Sequence, residues 1–224
     1  MSERTREELN GVIAQGVAQL LERLCTGRLF VNLGVGIPLL AVDYLDDPNI
    51  FIHTENGMIG VGPLAYGDDV HPDLVNAGRQ PVTETDGCAY TDTAESFGMI
   101  RGGHIDAAVL GAFEVDGEGT IANWIIPGGT QLGVGGAMDL AVGARTVIAA
   151  MTHTNKGRAK LVARCSLPVT GYREVDYAVT ELGVFRFGGG RPVLEALGSG
   201  ASAHEVRALT EFEFDVSETL WTFS

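Results

Sequence analysis

One glutamate stands where α/β proteins commonly present a reactive side chain. The short apolar run Ile50–Ile52 has the length and β-branching of a buried strand, and polar residues follow it up to Gly57. A strand that stops against small residues can hold one side chain at the carboxyl edge of a sheet. Glu55 occupies that position. A lone loop glutamate is most often a solvated surface group, so spacing alone leaves both interpretations open.

A glycine-dense segment is the second feature that could do chemistry. Pro127–Gly136 leads directly into Ala137–Val142, which has the pattern of an opening helix. Bare backbone N–H groups in such a segment can converge on an anion. A flexible loop is the alternative, but the immediate helix start favours the anion site. Gly34–Pro38 is a weaker signal of this kind, because it lacks the third glycine of a dinucleotide site.

Charge and motifs restrict the function classes. The 224 residues carry a formal net charge of −14, which argues against nucleic-acid binding because that needs a basic footprint. Four of the 15 basic residues, Lys156, Arg158, Lys160 and Arg164, cluster in the sequence. They could contact phosphates, but a solvated loop leading into a strand is the favoured interpretation. No histidine has metal-ligand spacing, and no serine-hydrolase or phosphate-loop motif occurs, so no metal site is expected.

The sequence also indicates a compartment. No run reaches the 18 or so apolar residues of a membrane span, and the first ten residues lack a signal-peptide pattern. Cys25, Cys88 and Cys165 are odd in number and far apart, which does not favour a disulfide framework. We therefore expect a cytoplasmic protein that does not enter membranes.

Periodicity predicts the elements that must position these residues. Thr5 and Glu8 form a capping-box pattern that opens an amphipathic helix ending at Gly27. Strands are expected at Leu29–Leu33, Ile50–Ile52, Asp106–Val115, Thr120–Ile126, Arg145–Met151, Lys160–Arg164, Val175–Thr180, Val184–Phe187 and Phe212–Val216. Further helices are expected from Pro38 to about Leu45 and at Ala203–Leu209.

These elements predict one α/β domain over residues 1–224, with a mostly parallel sheet flanked by helices and an antiparallel portion. Thr120–Ile126 is expected to return as a hairpin with Trp124 in its core, and Phe212–Val216 to be an edge strand. Residues 62–80 are rich in Gly, Pro and Asp and are interpreted as a long surface loop.

Three stretches together resemble the B-type subunits of the family I coenzyme A transferases, of the 3-oxoacid CoA-transferase type. Thr54–Gly57 is similar to the family signature Ser-Glu-Asn-Gly, with Thr in place of Ser. Ser96–Asp106 resembles the middle block nearly residue for residue. Ala122–Pro127 and Gly133–Leu140 resemble the third block. The resemblance runs from about Leu29 to Gly171 and fades after Tyr172.

The resemblance implies that Glu55 is a nucleophile that forms a glutamyl-CoA thioester during transfer between an acyl-CoA and a carboxylic acid. Succinyl-CoA with a 3-oxoacid is the expected pair. Asn56, Gly57, Gly135, Gly136 and Ala137 are the candidate residues for the oxyanion and the acyl-CoA, while Lys156 and Arg158 are candidate contacts for the CoA phosphates. No tightly bound cofactor is implied, since coenzyme A enters as a thioester substrate.

The resemblance further implies an A subunit as partner, in an A2B2 hetero-oligomer, with residues 62–80 as a cover that excludes water. Two departures, His53 where many relatives carry glutamine and Tyr172–Glu174, bear on the acyl group. Two other interpretations compete with transfer. One is a decarboxylase or hydrolase of CoA esters, typically lacking the glutamate, and the other is a regulatory or sugar-sensing domain.

Overall fold

The computed structural model describes residues 5–129 and 133–224 of the chain. Its helices are α1 (Arg6–Leu24), α2 (Thr93–Arg101), α3 (Ala137–Gly143) and α4 (Ala203–Leu209), with 3₁₀ helices at Ile37–Tyr44 and Gly67–Asp69. Its strands are β1 (Leu29–Leu33), β2 (Ile50–Thr54), β3 (Met58–Leu64), β4 (Val82–Tyr90), β5 (Ala107–Gly111), β6 (Glu114–Asp116), β7 (Ile121–Ala122), β8 (Thr146–Ala150), β9 (Thr154–Asn155), β10 (Arg158–Ala159), β11 (Leu161–Val162), β12 (Tyr177–Val179), β13 (Gly183–Arg186), β14 (Val193–Gly198) and β15 (Asp215–Phe223).

The main sheet has ten strands in the order β15-β14-β13-β12-β8-β5-β1-β2-β3-β4. Its centre, from β12 to β2, is parallel, and antiparallel strands flank this centre on both sides. Two smaller sheets are β11-β6-β7 and β10-β9. The expected mostly parallel sheet with an antiparallel portion is therefore confirmed, and all five central strands end at the same edge.

Alternating side chains on the central strands supply two apolar layers, because successive residues of a strand point to opposite faces. Val31 and Leu33 of β1 belong to the layer beneath α1. Ala108 and Leu110 of β5 belong to the opposite layer, beneath α2 and α3. Each face of the sheet is thus covered by helix, as a buried parallel sheet requires.

The first helix begins as its sequence predicts. Thr5 Oγ1 accepts a hydrogen bond from the Glu8 N–H at 3.2 Å, and the Glu8 carboxylate accepts one from the Thr5 N–H at 2.6 Å. This reciprocal capping box satisfies two N–H groups that have no partner within the helix. The predicted helix is confirmed, and it ends at Leu24.

The structure shortens the surface loop that was expected at residues 62–80. Its first residues belong to β3, which pairs antiparallel with β4, a strand that sequence reasoning missed. Gly62, one of the glycines that suggested a loop, allows a close strand contact, because a Cβ there would lie 2.4 Å from Thr83 Oγ1. The expected helix from Pro38 to Leu45 is a 3₁₀ helix, a tighter form that is common in short segments.

Several expected strands have different bounds in the structure. The main-sheet strand β5 ends at Gly111, and the chain then enters the small sheet, where β6 and β7 form a short hairpin. Trp124 lies beyond that hairpin and is only half-buried, so the expectation that it fills the hairpin core is wrong. The predicted edge strand at Phe212–Val216 instead begins at Asp215, because Phe214 packs edge-on against Phe185 at 5.1 Å in the core.

Within the described residues, no helix combines the length and apolar character that crossing a membrane would require.

A pair of glycine substitutions tests how closely α1 packs on the sheet. A Cβ at Gly16 of α1 would lie 2.8 Å from the Phe223 ring and 3.1 Å from Val179, whereas a Cβ at Gly98 of α2 would meet nothing within 4 Å. We expect Gly16→Ala to lower the free energy of unfolding by about 1 kcal/mol or more through overpacking. The matched control Gly98→Ala should raise it by roughly 0.5–1 kcal/mol, since alanine favours a helix interior. Urea unfolding of both variants measures the two signs, and equal effects would contradict the described packing.

Candidate active site

Glu55 lies in a tight turn that joins β2 to β3. The Gly57 N–H donates to the Thr54 carbonyl at 2.9 Å, and the Gly57 carbonyl accepts from the Thr91 N–H at 2.8 Å. Gly57 has φ +121°, and a Cβ there would lie 2.2 Å from the Thr91 carbonyl oxygen. Only glycine fits this approach without displacing the backbone. The turn therefore presents the half-buried Glu55 at the carboxyl edge of the sheet.

The other side of the turn is held by the segment that follows β3. Thr54 Oγ1 donates to Asn56 Oδ1 at 2.8 Å and accepts from the Ala77 N–H at 2.9 Å. Asn56 Nδ2 donates to the Val75 carbonyl at 2.9 Å. Asn56 therefore anchors the turn to the loop between β3 and β4, and its side-chain amide is engaged there.

A buried asparagine contacts the carboxylate. Asn32 of β1 is fully buried, and its Nδ2 lies 3.3 Å from Glu55 Oε2 and 3.1 Å from His53 Nδ1. The parallel register places Asn32 opposite His53 on the neighbouring strand. Sequence reasoning missed this residue. The available signal was an asparagine inside the apolar strand Leu29–Leu33, where a buried polar group needs partners.

His53 continues this polar contact away from the surface. Its ring is fully buried, and Nε2 lies 2.9 Å from Oγ of Ser96, a buried residue of α2. Burial lowers the pKa of His53 to about 4, because the charged imidazolium would lose its hydration. The ring is therefore neutral at pH 7, and it can accept at one nitrogen while it donates at the other.

The glycine-dense segment Pro127–Gly136 comes close to Glu55 at its last residue, Gly136. A Cβ there would lie 3.5 Å from Glu55 Cγ and 3.3 Å from Phe97 Cζ, so Gly136 lies against both side chains. Gly136 is the N-terminal cap of α3, and Gly135 before it has φ +53°. The structure thus brings together Glu55, Asn32 and Gly136. Residues 130–132 of the glycine-dense segment lie outside the described residues.

Two candidate donors are already engaged within the protein. The Ala137 N–H donates to the Val134 carbonyl at 3.2 Å, and the Gly57 N–H donates to Thr54 within the turn. In the described part of the chain, no acceptor is recorded for the N–H groups of Gly135 and Gly136. Of the three candidate residues Gly135, Gly136 and Ala137, the first two therefore have N–H groups that a ligand could use.

The basic cluster lies elsewhere along the same edge. Lys156 and Arg158 are exposed around the turn of the β9–β10 hairpin, which follows β8. Because β8 is three strands from β2, this hairpin starts roughly 14 Å along the edge from the Glu55 turn. Lys160 is half-buried, and burial lowers its pKa to about 8 although Glu181 opposes that shift. The structure therefore places the basic cluster away from Glu55. It also divides the cluster, because Lys156 and Arg158 are exposed whereas Lys160 is not.

A second buried histidine is purely internal. His153 lies between two threonine hydroxyls, with Nδ1 3.0 Å from Thr180 Oγ1 and Nε2 3.1 Å from Thr210 Oγ1. Burial lowers its pKa to about 4 as well. Over residues 5–129 and 133–224, no group of three or more His, Cys, Asp and Glu side chains is arranged to hold a metal ion.

Comparisons with known proteins agree with the motifs. The family model described as coenzyme A transferase matches residues 29–208. The beta subunit of acetate CoA-transferase from Escherichia coli (strain K12) is 48% identical over 212 residues, covering 94% of this chain and 95% of that protein. The B-type subunit of the probable succinyl-CoA:3-ketoacid coenzyme A transferase from Bacillus subtilis (strain 168) is 45% identical over 192 residues, covering 85% of this chain and 89% of that protein.

Among solved structures, a variant of the decarboxylase AibA/AibB is similar at a TM-score of 0.66 and 26% identity. The match covers 95% of this chain and 89% of that chain. The fold is therefore shared with a decarboxylase.

The two buried histidines predict how stability depends on pH. Their folded-state pKa values of about 4 lie below the ordinary 6.5, so the unfolded chain binds more protons between those values. The stabilisation is complete above about pH 6.5 and is lost as the pH falls towards 4. Each ring should account for about 2 kcal/mol of the loss between pH 7.5 and 5.0.

Urea unfolding of His53→Gln and His153→Gln at the two pH values measures these contributions. Each substitution should remove its own share of the pH dependence. The shares should add in the double variant, because the two rings have separate partners three strands apart. A pH dependence that is the same in the parent and both variants would contradict the neutral, buried state of the rings.

Proposed function

The chain belongs to the coenzyme A transferase family, and from that premise we propose that it transfers coenzyme A between an acyl-CoA and a carboxylic acid through a glutamyl-CoA thioester on Glu55. One observation carries the proposal. Glu55 is held at the carboxyl edge of the parallel sheet with Asn32 donating to its Oε2 and Gly136 against its side chain. A carboxylate placed in this way can act as a nucleophile without an activating base.

The proposed reaction consists of successive acyl exchanges at the Glu55 carboxylate. The Glu55 carboxylate attacks the thioester carbonyl, forming a mixed anhydride and releasing CoA thiolate. The thiolate then attacks the glutamyl carbonyl, which forms the Glu55–CoA thioester and releases the first acid as its carboxylate. The incoming carboxylate reverses both steps, so ping-pong kinetics are expected.

Each tetrahedral intermediate carries an oxyanion that needs preorganised donors. The N–H groups of Gly135 and Gly136 fit this role, since Gly136 lies against Glu55 and no acceptor is recorded for either among the described residues. Ala137 and Gly57 support the site through the backbone, because their N–H groups donate within the protein. Asn56 holds the turn, and its backbone N–H is its candidate contribution to the oxyanion.

The proposed enzyme needs an A subunit, in an A2B2 assembly. Both curated relatives are named as B or beta subunits. Val35 follows β1 at the same edge as Glu55 and is 61% exposed, and Val142 of α3 is 70% exposed. Exposed apolar side chains of this kind suit a partner that also excludes water from the reactive intermediates.

Substrate class is taken from the relatives. Their names point to acetate and to succinyl-CoA with a 3-ketoacid, so we propose a short acyl-CoA and a short carboxylic acid, with succinyl-CoA and a 3-oxoacid as the central pair. Coenzyme A enters as substrate and no tightly bound cofactor is proposed. Lys156 and Arg158 would contact its phosphates only if the bound nucleotide extends along the edge to the β9–β10 hairpin. We place the reaction in the cytoplasm.

A decarboxylase of CoA esters is the second candidate. The similarity to the decarboxylase AibA/AibB favours it, because that match covers nearly the whole chain. The presence of Glu55 favours transfer, since a covalent carboxylate is what exchange requires. Release of CO₂ from a CoA ester, with no CoA appearing on an added acid, would select the decarboxylase.

The role of Glu55 is tested by trapping its adduct. Incubating the complex of this chain and its partner with acyl-CoA alone should leave CoA on the peptide containing Glu55, and borohydride should reduce that thioester and inactivate the enzyme. Glu55→Gln should abolish the adduct and lower exchange by at least about 10³-fold. The matched control is Glu218→Gln, an exposed glutamate of the edge strand β15. Mapping of the label to Cys25, Cys88 or Cys165 would refute the assignment.

The need for a partner is tested by reconstitution. The purified chain alone should show turnover near background and should self-associate through its exposed apolar side chains, as expected of a protein without its partner. Adding the A subunit should restore exchange and end the self-association, as measured by an acceptor assay and analytical ultracentrifugation. Full turnover by the isolated chain would show that this site is complete by itself.

A further inference from the structure

A line of buried hydrogen bonds leads from Glu55 into the protein. Glu55 Oε2 lies 3.3 Å from Asn32 Nδ2, which also lies 3.1 Å from His53 Nδ1, and His53 Nε2 lies 2.9 Å from Ser96 Oγ. Asn32, His53 and Ser96 are fully buried. Three neighbouring elements, β1, β2 and α2, therefore each contribute one side chain to this line.

We propose that His53 is a positioning residue for the nucleophile: it accepts one hydrogen of the Asn32 amide and thereby directs the other hydrogen to Glu55 Oε2. The inference rests on the proposed function, since it concerns how Glu55 is aimed. His53 does not touch the substrate and acts only through Asn32.

The planar amide explains why one contact directs the other. The two hydrogens of Nδ2 diverge within the amide plane, so a hydrogen held by His53 Nδ1 fixes where the second one points. An amide turned by 180° would place its oxygen against the Glu55 carboxylate, which repels it. In the observed orientation Asn32 Oδ1 is buried without a hydrogen-bond partner among the described residues. The two contacts of Nδ2 must therefore outweigh the cost of that unpaired oxygen.

Asn32 and Ser96 together match one form of the His53 ring. His53 is neutral, so one ring nitrogen must accept and the other must donate. The Asn32 Nδ2–H group can only donate, so Nδ1 is the acceptor and Nε2 carries the hydrogen, which the Ser96 hydroxyl accepts. All three side chains are excluded from bulk solvent, so they depend on one another for hydrogen bonds.

This arrangement holds the Glu55 carboxylate through one of its two oxygens. Asn32 binds Oε2, while no donor to Oε1 is recorded in the described part of the chain. Oε1 is therefore the oxygen that attacks, and its direction is set by the bond to Oε2. A displacement of about 1 Å at a reacting atom can lower a rate about 10²-fold.

The experiment compares His53→Leu with His53→Gln in the complex with the A subunit. Leucine fills similar space without hydrogen bonding, whereas glutamine can accept from Asn32 and donate to Ser96. Rapid mixing with acyl-CoA measures the rate at which the Glu55–CoA adduct forms. We expect the leucine variant to be slower by about 10–100-fold with an unchanged KM for acyl-CoA, and the glutamine variant to retain most of the parental rate.

A double-mutant cycle separates positioning from general structural damage. If His53 acts only through Asn32, then His53→Leu should slow adduct formation no further in an Asn32→Ala background. Should the leucine variant fail to fold, Ser96→Ala replaces it in the same cycle. That variant is expected to be slower by about 3–10-fold, and only when Asn32 is present.

The outcomes separate a failure of the positioning role from a failure of the proposed function. A parent complex that forms no adduct on Glu55 would overturn both together. An adduct that forms in the parent and equally fast in His53→Leu would overturn the positioning role alone. Additive losses in the cycle, or a glutamine variant as slow as the leucine variant, would also overturn it.

Discussion

The position of Glu55 depends on the parallel pairing of β1 with β2. In the observed register Asn32 lies opposite His53, so one strand supplies the donor and the other supplies both the acceptor and the carboxylate. A shift of β1 by one residue would turn Asn32 to the opposite face, beneath α1, and would remove its contacts to His53 and Glu55. The apolar layers on both sides of the sheet oppose such a shift, because Val31 and Leu33 would then leave their layer.

Asn32, His53 and Ser96 are polar residues at buried positions where apolar side chains are usual. Asparagine, histidine and serine side chains are costly to bury unless every member has a partner, and Asn32 Oδ1 has none in the described residues. The two buried histidines add a further cost when the pH falls. A proposed role in aiming Glu55 gives a reason for keeping this network where leucine or valine would stabilise the fold more simply.

Several helices and strands could be predicted from local sequence patterns. β1, the core of β2, the start of α3 and the whole of α4 follow from short apolar runs and capping residues, and Glu55 follows from a motif within four residues. Asn32 and β4 were missed because their meaning depends on contacts between segments distant in sequence. Gly62 likewise suggested a loop, whereas its role is to let β3 pass close to Thr83. Single-sequence patterns do not contain those distances.

The contact between Gly16 and Phe223 bears on how the chain is made. α1 is synthesised early, yet part of its apolar face packs against a ring near the far end of the sequence. During synthesis Ile13 and Val17 therefore remain incompletely packed until almost the whole chain has been made. Such long-range contacts slow folding. Until they form, the apolar face of α1 is a surface that a chaperone can bind.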